Sequence, residues 1–210
     1  GASGEIRRIY AMTEREAYGR LADFIQDYIY DKDWEHLNTM QIRAVEKVLE
    51  KRDNLLFTAG TAMGKTEAAL MPALTDLYEH PVDSAGILYI SPLKALINDQ
   101  FWRIEEMLAG TGLAITRWHG DAPFSGKEKL LSCPCGIVQT TPESLEAMLC
   151  RHPEQVRILF SGLQYVVIDE IHYFMGNQRG LQLLAVLERI RRIIRRDPVR
   201  LGLSATAGDA

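Results

Sequence analysis

Apolar side chains recur at helical spacing through residues 13–30, where Tyr18, Leu21, Phe24, Ile25 and Tyr28 would line one face of an amphipathic helix. The run Asp31-Lys32-Asp33 ends that stripe. A second one, formed by Ile42, Val45, Val48 and Leu49, predicts a helix from about Thr39 to Lys51. Beyond it the period alternates. Short apolar runs bounded by turn residues predict strands at 54–58, 86–90, 113–118, 136–140, 164–168 and 200–204. Longer amphipathic stretches predict helices at 65–79, 93–109, 142–151 and 178–196, with turns at 126–132 and 153–160. Pro72 falls inside the first of these helices and predicts a kink there. Strands alternating with helices imply an α/β domain whose mainly parallel sheet is covered on both faces. Ligands of such sheets gather at the carboxyl ends of the strands.

A chain of 210 residues suits one well-buried domain. No apolar run approaches the roughly 20 residues of a membrane span, so no membrane partner is expected. The opening Gly1-Ala2-Ser3-Gly4-Glu5 lacks the apolar core of a signal peptide and reads as a remnant of tag removal. Cys133, Cys135 and Cys150 suit a reducing, cytoplasmic setting, and the spacing of Cys133-Pro134-Cys135 is wrong for a zinc knuckle. With a net charge of −4, a nucleic-acid binder would have to rely on local patches and oriented amides.

Candidate chemistry begins where the strand at 54–58 runs through Ala59-Gly60-Thr61-Ala62-Met63-Gly64 into Lys65-Thr66. Backbone N–H groups of such a turn wrap phosphates, and the helix N-terminus adds a favourable dipole. Lys65 would reach the β/γ-phosphates of ATP and the Thr66 hydroxyl would ligate Mg²⁺. The apolar run Val166-Val167-Ile168 ends in Asp169-Glu170. Asp169 is suited to hold Mg²⁺ beside Thr66, and Glu170 to orient and deprotonate the attacking water. Two further junctions, Ser91-Pro92 and Thr141-Pro142, each place a hydroxyl residue and then Pro at the start of a predicted helix. Two such helix ends beside an ATP site suggest a track for phosphates of a nucleic-acid strand, with contacts from Lys94, Thr141 and Ser144. The five arginines at 189, 191, 192, 195 and 196 read as a solvated helix face.

The ordered set Gln41, AGTAMGKT, SPLKALINDQ, HGD, TTPESLE, VIDEIH and LSAT resembles the first RecA-like domain of a superfamily-2 helicase. Within that group it is most similar to the Lhr-like branch, through Pro92-Leu93-Lys94-Ala95-Leu96, His119-Gly120-Asp121, Thr141-Pro142-Glu143-Ser144-Leu145-Glu146 and Gln178-Arg179-Gly180 after Asp-Glu-Ile-His. The resemblance implies a RecA-like P-loop NTPase domain over residues 37–210, preceded by a helical extension over 1–36. It implies ATP and Mg²⁺ as ligands. Gln41 would read the adenine edge, and Trp34 would either stack on the base or pack the N-terminal helix. Thr61, Ala62, Met63, Gly64, Lys65 and Thr66 would form the phosphate turn. Ala62 and Met63 depart from the small residues usual there, and a positive φ at Ala62 would cost about 1 kcal/mol. Pro92, Lys94, Ala95, Gly120, Thr141, Pro142 and Ser144 would face a DNA or RNA strand. His172 would bridge the ATP site to Ser204, Ala205 and Thr206, on a strand between the phosphate-turn strand and the Asp-Glu strand. A second RecA-like domain is the implied partner, and no second motif set follows Thr206. The expected activity is ATP-dependent movement along, or unwinding of, nucleic acid. The alternatives are a duplex translocase that leaves strands paired and a non-catalytic ATP-gated binding module.

Overall fold

Six short strands, β1 (Leu55–Ala59), β2 (Ile87–Ile90), β3 (Ile115–Trp118), β4 (Ile137–Thr140), β5 (Tyr165–Ile168) and β6 (Val199–Ala205), form one sheet in the order β1-β6-β5-β2-β4-β3. Every neighbouring pair is parallel. The structure, a computed structural model, describes residues 12–60, 62–120 and 124–205. All four residues of β2, β4 and β5 are buried, as a parallel sheet covered on both sides requires. Alternation divides them between two cores. Ile87, Tyr89, Tyr165 and Val167 join one cluster, and Leu88, Ile90, Val166 and Ile168 join the other.

The first core is closed by α1 (Glu14–Arg20), α2 (Asp23–Asp31), α3 (Thr39–Val45), α4 (Lys65–Glu79) and α5 (Lys94–Met107). The second is closed by α6 (Phe124–Ser132), α7 (Pro142–Arg151), α8 (Pro153–Leu159) and α9 (Gln178–Ile194). The strand and helix order follows the sequence reading, with three differences. The stripe over 13–30 is two helices, because Leu21 is extended and the Ala22 N–H donates to Thr75 Oγ1 of α4 at 3.1 Å. The Gln26 amide then caps the end of α1 by donating to the Leu21 and Tyr18 carbonyls. The helix over 39–51 becomes a π-helix at Glu46–Lys51 and stops at Arg52, which is left-handed at φ 52°. The stretches read as turns at 126–132 and 153–160 are the helices α6 and α8. Pro72 is buried inside α4, which continues past it to Glu79.

What matters for the site is register. β6 lies between β1 and β5, with Ala59 opposite Ala205 and Ile168 opposite Gly202. The turn after β1 and the carboxylates after β5 therefore emerge on the same edge, flanking the end of β6.

Candidate nucleotide and strand-binding site

Between β1 and α4 the chain reverses through two left-handed residues, Ala62 at φ 64° and Gly64 at φ 75°. The predicted condition for strain at Ala62 is met. Gly64 is required twice over, since a Cβ there would also lie 2.8 Å from Gln41 Nε2. Lys65 folds back over the turn and donates to the carbonyls of Ala59 at 2.7 Å and Gly60 at 2.9 Å. Thr66, the second residue of α4, is buried. Thr61 lies outside the described residues.

Asp169 is buried at the end of β5, its Oδ2 accepting from the Tyr89 hydroxyl and its Oδ1 from the Glu170 N–H, each at 3.0 Å. Burial pushes the Asp169 carboxyl up, the Tyr89 hydrogen bond opposes that shift, the Glu170 charge reinforces it, and the Lys65 charge lowers it. Lys65 and Asp169, far apart in sequence, are thus within electrostatic reach of each other. The Tyr89 phenol is pushed well up by burial and by Asp169, while a hydrogen bond with Thr66 works the other way. The phenol bonds Asp169, and Thr66 is near enough to act on its titration. Glu170 is left-handed at φ 46°, and its Oε2 is buried with no hydrogen-bond partner among the described residues. That oxygen lies 3.3 Å from His172 Nδ1, without the alignment of a hydrogen bond. The same nitrogen is 3.4 Å from Ser204 Oγ. His172 thus stands between Glu170 and the end of β6, as predicted. Ala205 ends β6 opposite Ala59, and Thr206 lies outside the described residues.

This donor set fits Mg²⁺ and a triphosphate: a hydroxyl and carboxylates for a hard cation, an ammonium and a helix N-terminus for phosphates, and a carboxylate oxygen of Glu170 with no hydrogen-bond partner among the described residues. Beside the turn is a cleft of about 340 Å³ lined by Trp34, His36, Asn38, Gln41, Ala62, Met63, Gly64 and Arg103. Gln41 is held by a reciprocal capping box, its N–H donating to Asn38 Oδ1 at 2.9 Å and its Oε1 accepting from the Asn38 N–H at 3.0 Å. Asn38 Nδ2 also donates to the Met63 carbonyl at 3.2 Å, tying the cap to the turn. Trp34 packs edge-on against Tyr28, as one of its two readings has it, and also lines the cleft. Arg103 enters from α5, held by an ion pair with the fully buried Glu67 of α4. Tyr89, Glu67 and Arg103 escape sequence reasoning. Each looks like an ordinary member of a strand or helix until the fold brings its partner near.

At the next sheet edge, the Thr141 hydroxyl accepts from the Ser144 N–H at 3.3 Å and Pro142 opens α7, as predicted. The Ser91-Pro92 junction differs. The helix α5 starts at Lys94, its N-cap is Leu93 in extended conformation with no side-chain bond, and Ser91 Oγ is buried without a hydrogen-bond partner among the described residues. Ser91 is turned into the core and caps nothing. Lys94 and Ala95 are exposed at this helix start, and a Cβ on Gly120 would lie 3.6 Å from Lys94 Nζ. The two predicted strand-facing groups therefore adjoin, while Asp121 lies outside the described residues. Arg179, in the first turn of α9, donates through Nη2 to the Pro92 carbonyl at 2.7 Å and through Nε to Glu143 Oε1 at 2.8 Å. Partial burial pushes the Glu143 carboxyl up, but the bonds and charge of Arg179 carry it below the usual range. On α9 itself, Arg191 and Arg192 both bond Glu188 and hold its carboxyl down to about 2, consistent with a solvated face.

Residues 38–210 match the family profile described as DEAD/DEAH box helicase. The Lhr helicase/uracil glycosylase of Escherichia coli (strain K12) is 34% identical over a match covering 78% of this chain and 12% of that protein. The ATP-dependent helicase Lhr-Core protein 2 of Thermococcus barophilus is 32% identical, covering 92% of this chain and 24% of that protein. The chain thus spans a quarter or less of the length of these relatives. Among solved structures, the DUF1998 helicase MrfA bound to DNA superposes with a TM-score of 0.79 at 28% identity, over 90% of this chain and 27% of that one. The Mycobacterium smegmatis helicase Lhr bound to ssDNA and AMP-PNP gives 0.79 at 28% identity, over 91% and 25%. Among the described residues no helix is long and apolar enough to cross a membrane.

Proposed function

The chain belongs to the DEAD/DEAH box helicase family, as the first RecA-like domain of a superfamily-2 helicase most similar to the Lhr-like branch, and we propose that it holds Mg-ATP between β1 and β5 while a nucleic-acid strand crosses the neighbouring sheet edge. The observation that carries this reading is the meeting of Thr66, Tyr89 and Asp169 within reach of Lys65. Bound Mg-ATP supplies a cleavable phosphoanhydride and a divalent charge. In this reading Thr66 and Asp169 hold the cation. Lys65 exchanges the carbonyls of Ala59 and Gly60 for phosphate oxygens, and the N–H groups of residues 62–66 line the rest of the turn. The Glu170 carboxylate takes the proton from water. Gln41 reads the base, with Trp34 and Arg103 as the walls of its cleft. His172 reports to Ser204, Ala205 and Thr206. The strand is DNA or RNA, met by Pro92, Lys94, Ala95, Gly120, Thr141, Pro142 and Ser144. The helical extension at 1–36 precedes the ATP-binding unit at 37–210. A second RecA-like domain is the proposed partner in turnover, because charge-stabilising arginines from outside are worth orders of magnitude in rate. Three free cysteines fit work in a reducing cytoplasm.

Calorimetry tests the nucleotide site directly. Mg-AMP-PNP is expected to bind this chain, and Lys65→Ala to weaken it at least about tenfold. In the full-length protein, Glu170→Gln is expected to abolish turnover while keeping nucleotide affinity. Unchanged affinity in the Lys65 variant, or unchanged turnover in the Glu170 variant, refutes the assignment.

A further inference from the structure

The two strand-facing junctions are anchored unequally. At Thr141-Pro142 the turn fixes itself, through the Thr141 hydroxyl on the Ser144 N–H at 3.3 Å. At Ser91-Pro92 no side chain of the turn caps the helix, and the Ser91 hydroxyl is buried away from it. The Ser91 N–H donates to the Thr140 carbonyl at 3.0 Å, and the side-chain contact on the Pro92 end of this turn comes from α9. Arg179 Nη2 donates to the Pro92 carbonyl at 2.7 Å while Arg179 Nε donates to Glu143 Oε1 at 2.8 Å, one residue beyond Pro142. The two arms of one guanidinium thus clamp both junctions at a set separation, which a planar fork does and a single ammonium cannot. A second rung, from Gln182 Nε2 to Glu146 Oε2, repeats the link between α9 and α7 one turn further on.

The position of Arg179 in the chain adds the other half. It is the second residue of α9, and α9 is joined to Asp169-Glu170 by the short helix Ile171–Phe174. The Arg179 guanidinium also lies 5.5 Å from the centroid of the Phe174 ring. Gly180 follows, where any Cβ would overlap the Phe174 carbonyl, so this linker and the start of α9 are packed backbone against backbone. The linker after Glu170 and the start of α9 thus form one packed unit that carries Arg179.

We infer that Arg179 is a positioning residue for the strand track, setting the spacing of the Pro92 and Thr141 turns and linking them to the carboxylate turn. This rests on the strand path proposed above. The test uses fluorescence anisotropy of a labelled oligo-dT single strand with the chain held in Mg-AMP-PNP, titrated over salt, with circular dichroism confirming the fold. Arg179→Ala is expected to weaken strand binding about five- to tenfold. The slope of log affinity against log salt should stay unchanged, because the arginine is engaged with protein acceptors. Arg179→Lys should be nearly as weak as Ala, having the charge but no fork. Glu143→Gln, which keeps an oxygen for Nε, should bind within about twofold of the parent. Mg-AMP-PNP affinity should be the same in all four proteins. Full binding by the Lys variant overturns the inference, as does a slope reduced by about 0.7 in the Ala variant, which marks a direct phosphate ligand. Failure of the parent chain itself to bind the strand overturns the strand path, and the inference falls with it.

Discussion

Tyr89→Phe deletes a single oxygen, and the structure says what that oxygen does. The ring is fully buried in β2, so the substitution leaves the packing of the first core intact. The hydroxyl donates at 3.0 Å to a carboxylate that is itself buried. A hydrogen bond to an ionised acceptor contributes about 1.5–3 kcal/mol, against about 1 kcal/mol for a neutral pair. The loss is therefore pH-dependent. Asp169 titrates above its ordinary value in the folded chain, so the native state holds that proton more tightly than the unfolded state. Stability accordingly falls as pH rises from the unfolded carboxylate pKa through the folded one, and the full cost of ionised, buried Asp169 is present above it. Removing the donor lifts the folded pKa further, at about 1.4 kcal/mol per unit. Urea unfolding of ligand-free parent and variant across a pH series should show a difference of about 1 kcal/mol in acid that widens to about 1.5–3 kcal/mol at neutrality. A difference independent of pH, or one that narrows toward neutrality, would show that Tyr89 does not serve the ionised carboxylate.

Two other substitutions probe the turn and the cleft. Ala62→Gly relieves a left-handed alanine at φ 64°, and the relief of about 1 kcal/mol, partly offset by the freer unfolded glycine, should appear as a stability gain below 1 kcal/mol. No gain in urea midpoint would mean the turn relaxes its strain elsewhere. Arg103→Ala strips the counter-ion from the fully buried Glu67. A buried pair broken from one side costs about 3–5 kcal/mol, and since Arg103 is 42% exposed the expected loss is nearer 2 kcal/mol. Adding Glu67→Gln should recover much of it in a double-mutant cycle, and additive losses would refute the pairing.

Much of the fold was legible because parallel strands carry their own signature. Leu88-Tyr89-Ile90 and Val166-Val167-Ile168 are apolar on both faces, and such runs are buried on both sides. The phosphate turn was legible because its chemistry is local: a strand, small residues, then Gly64-Lys65-Thr66 at a helix start. Misreadings arose where a distant partner decided the outcome. Leu21 and Ala22 carry no helix breaker, yet Thr75 draws the Ala22 N–H out of the helix. Ser91 has the form of a cap, yet the backbone turns it into the core and leaves Leu93 at the helix start.

From its residues alone this chain determines two chemistries, an ammonium and hydroxyl at one strand end and a pair of carboxylates at another, since charge and helix capping depend on neighbours a few positions away. Their meeting required β6 to insert between β1 and β5, pairing Val199 with nearby Tyr165 on one side and Leu201 with the distant Leu55 on the other. The supporting contacts, Tyr89 on Asp169, Glu67 on Arg103 and Arg179 on Pro92 and Glu143, arise the same way. Hydrogen bonds and ion pairs act over a few ångströms, and only the packed sheet brings those side chains that close.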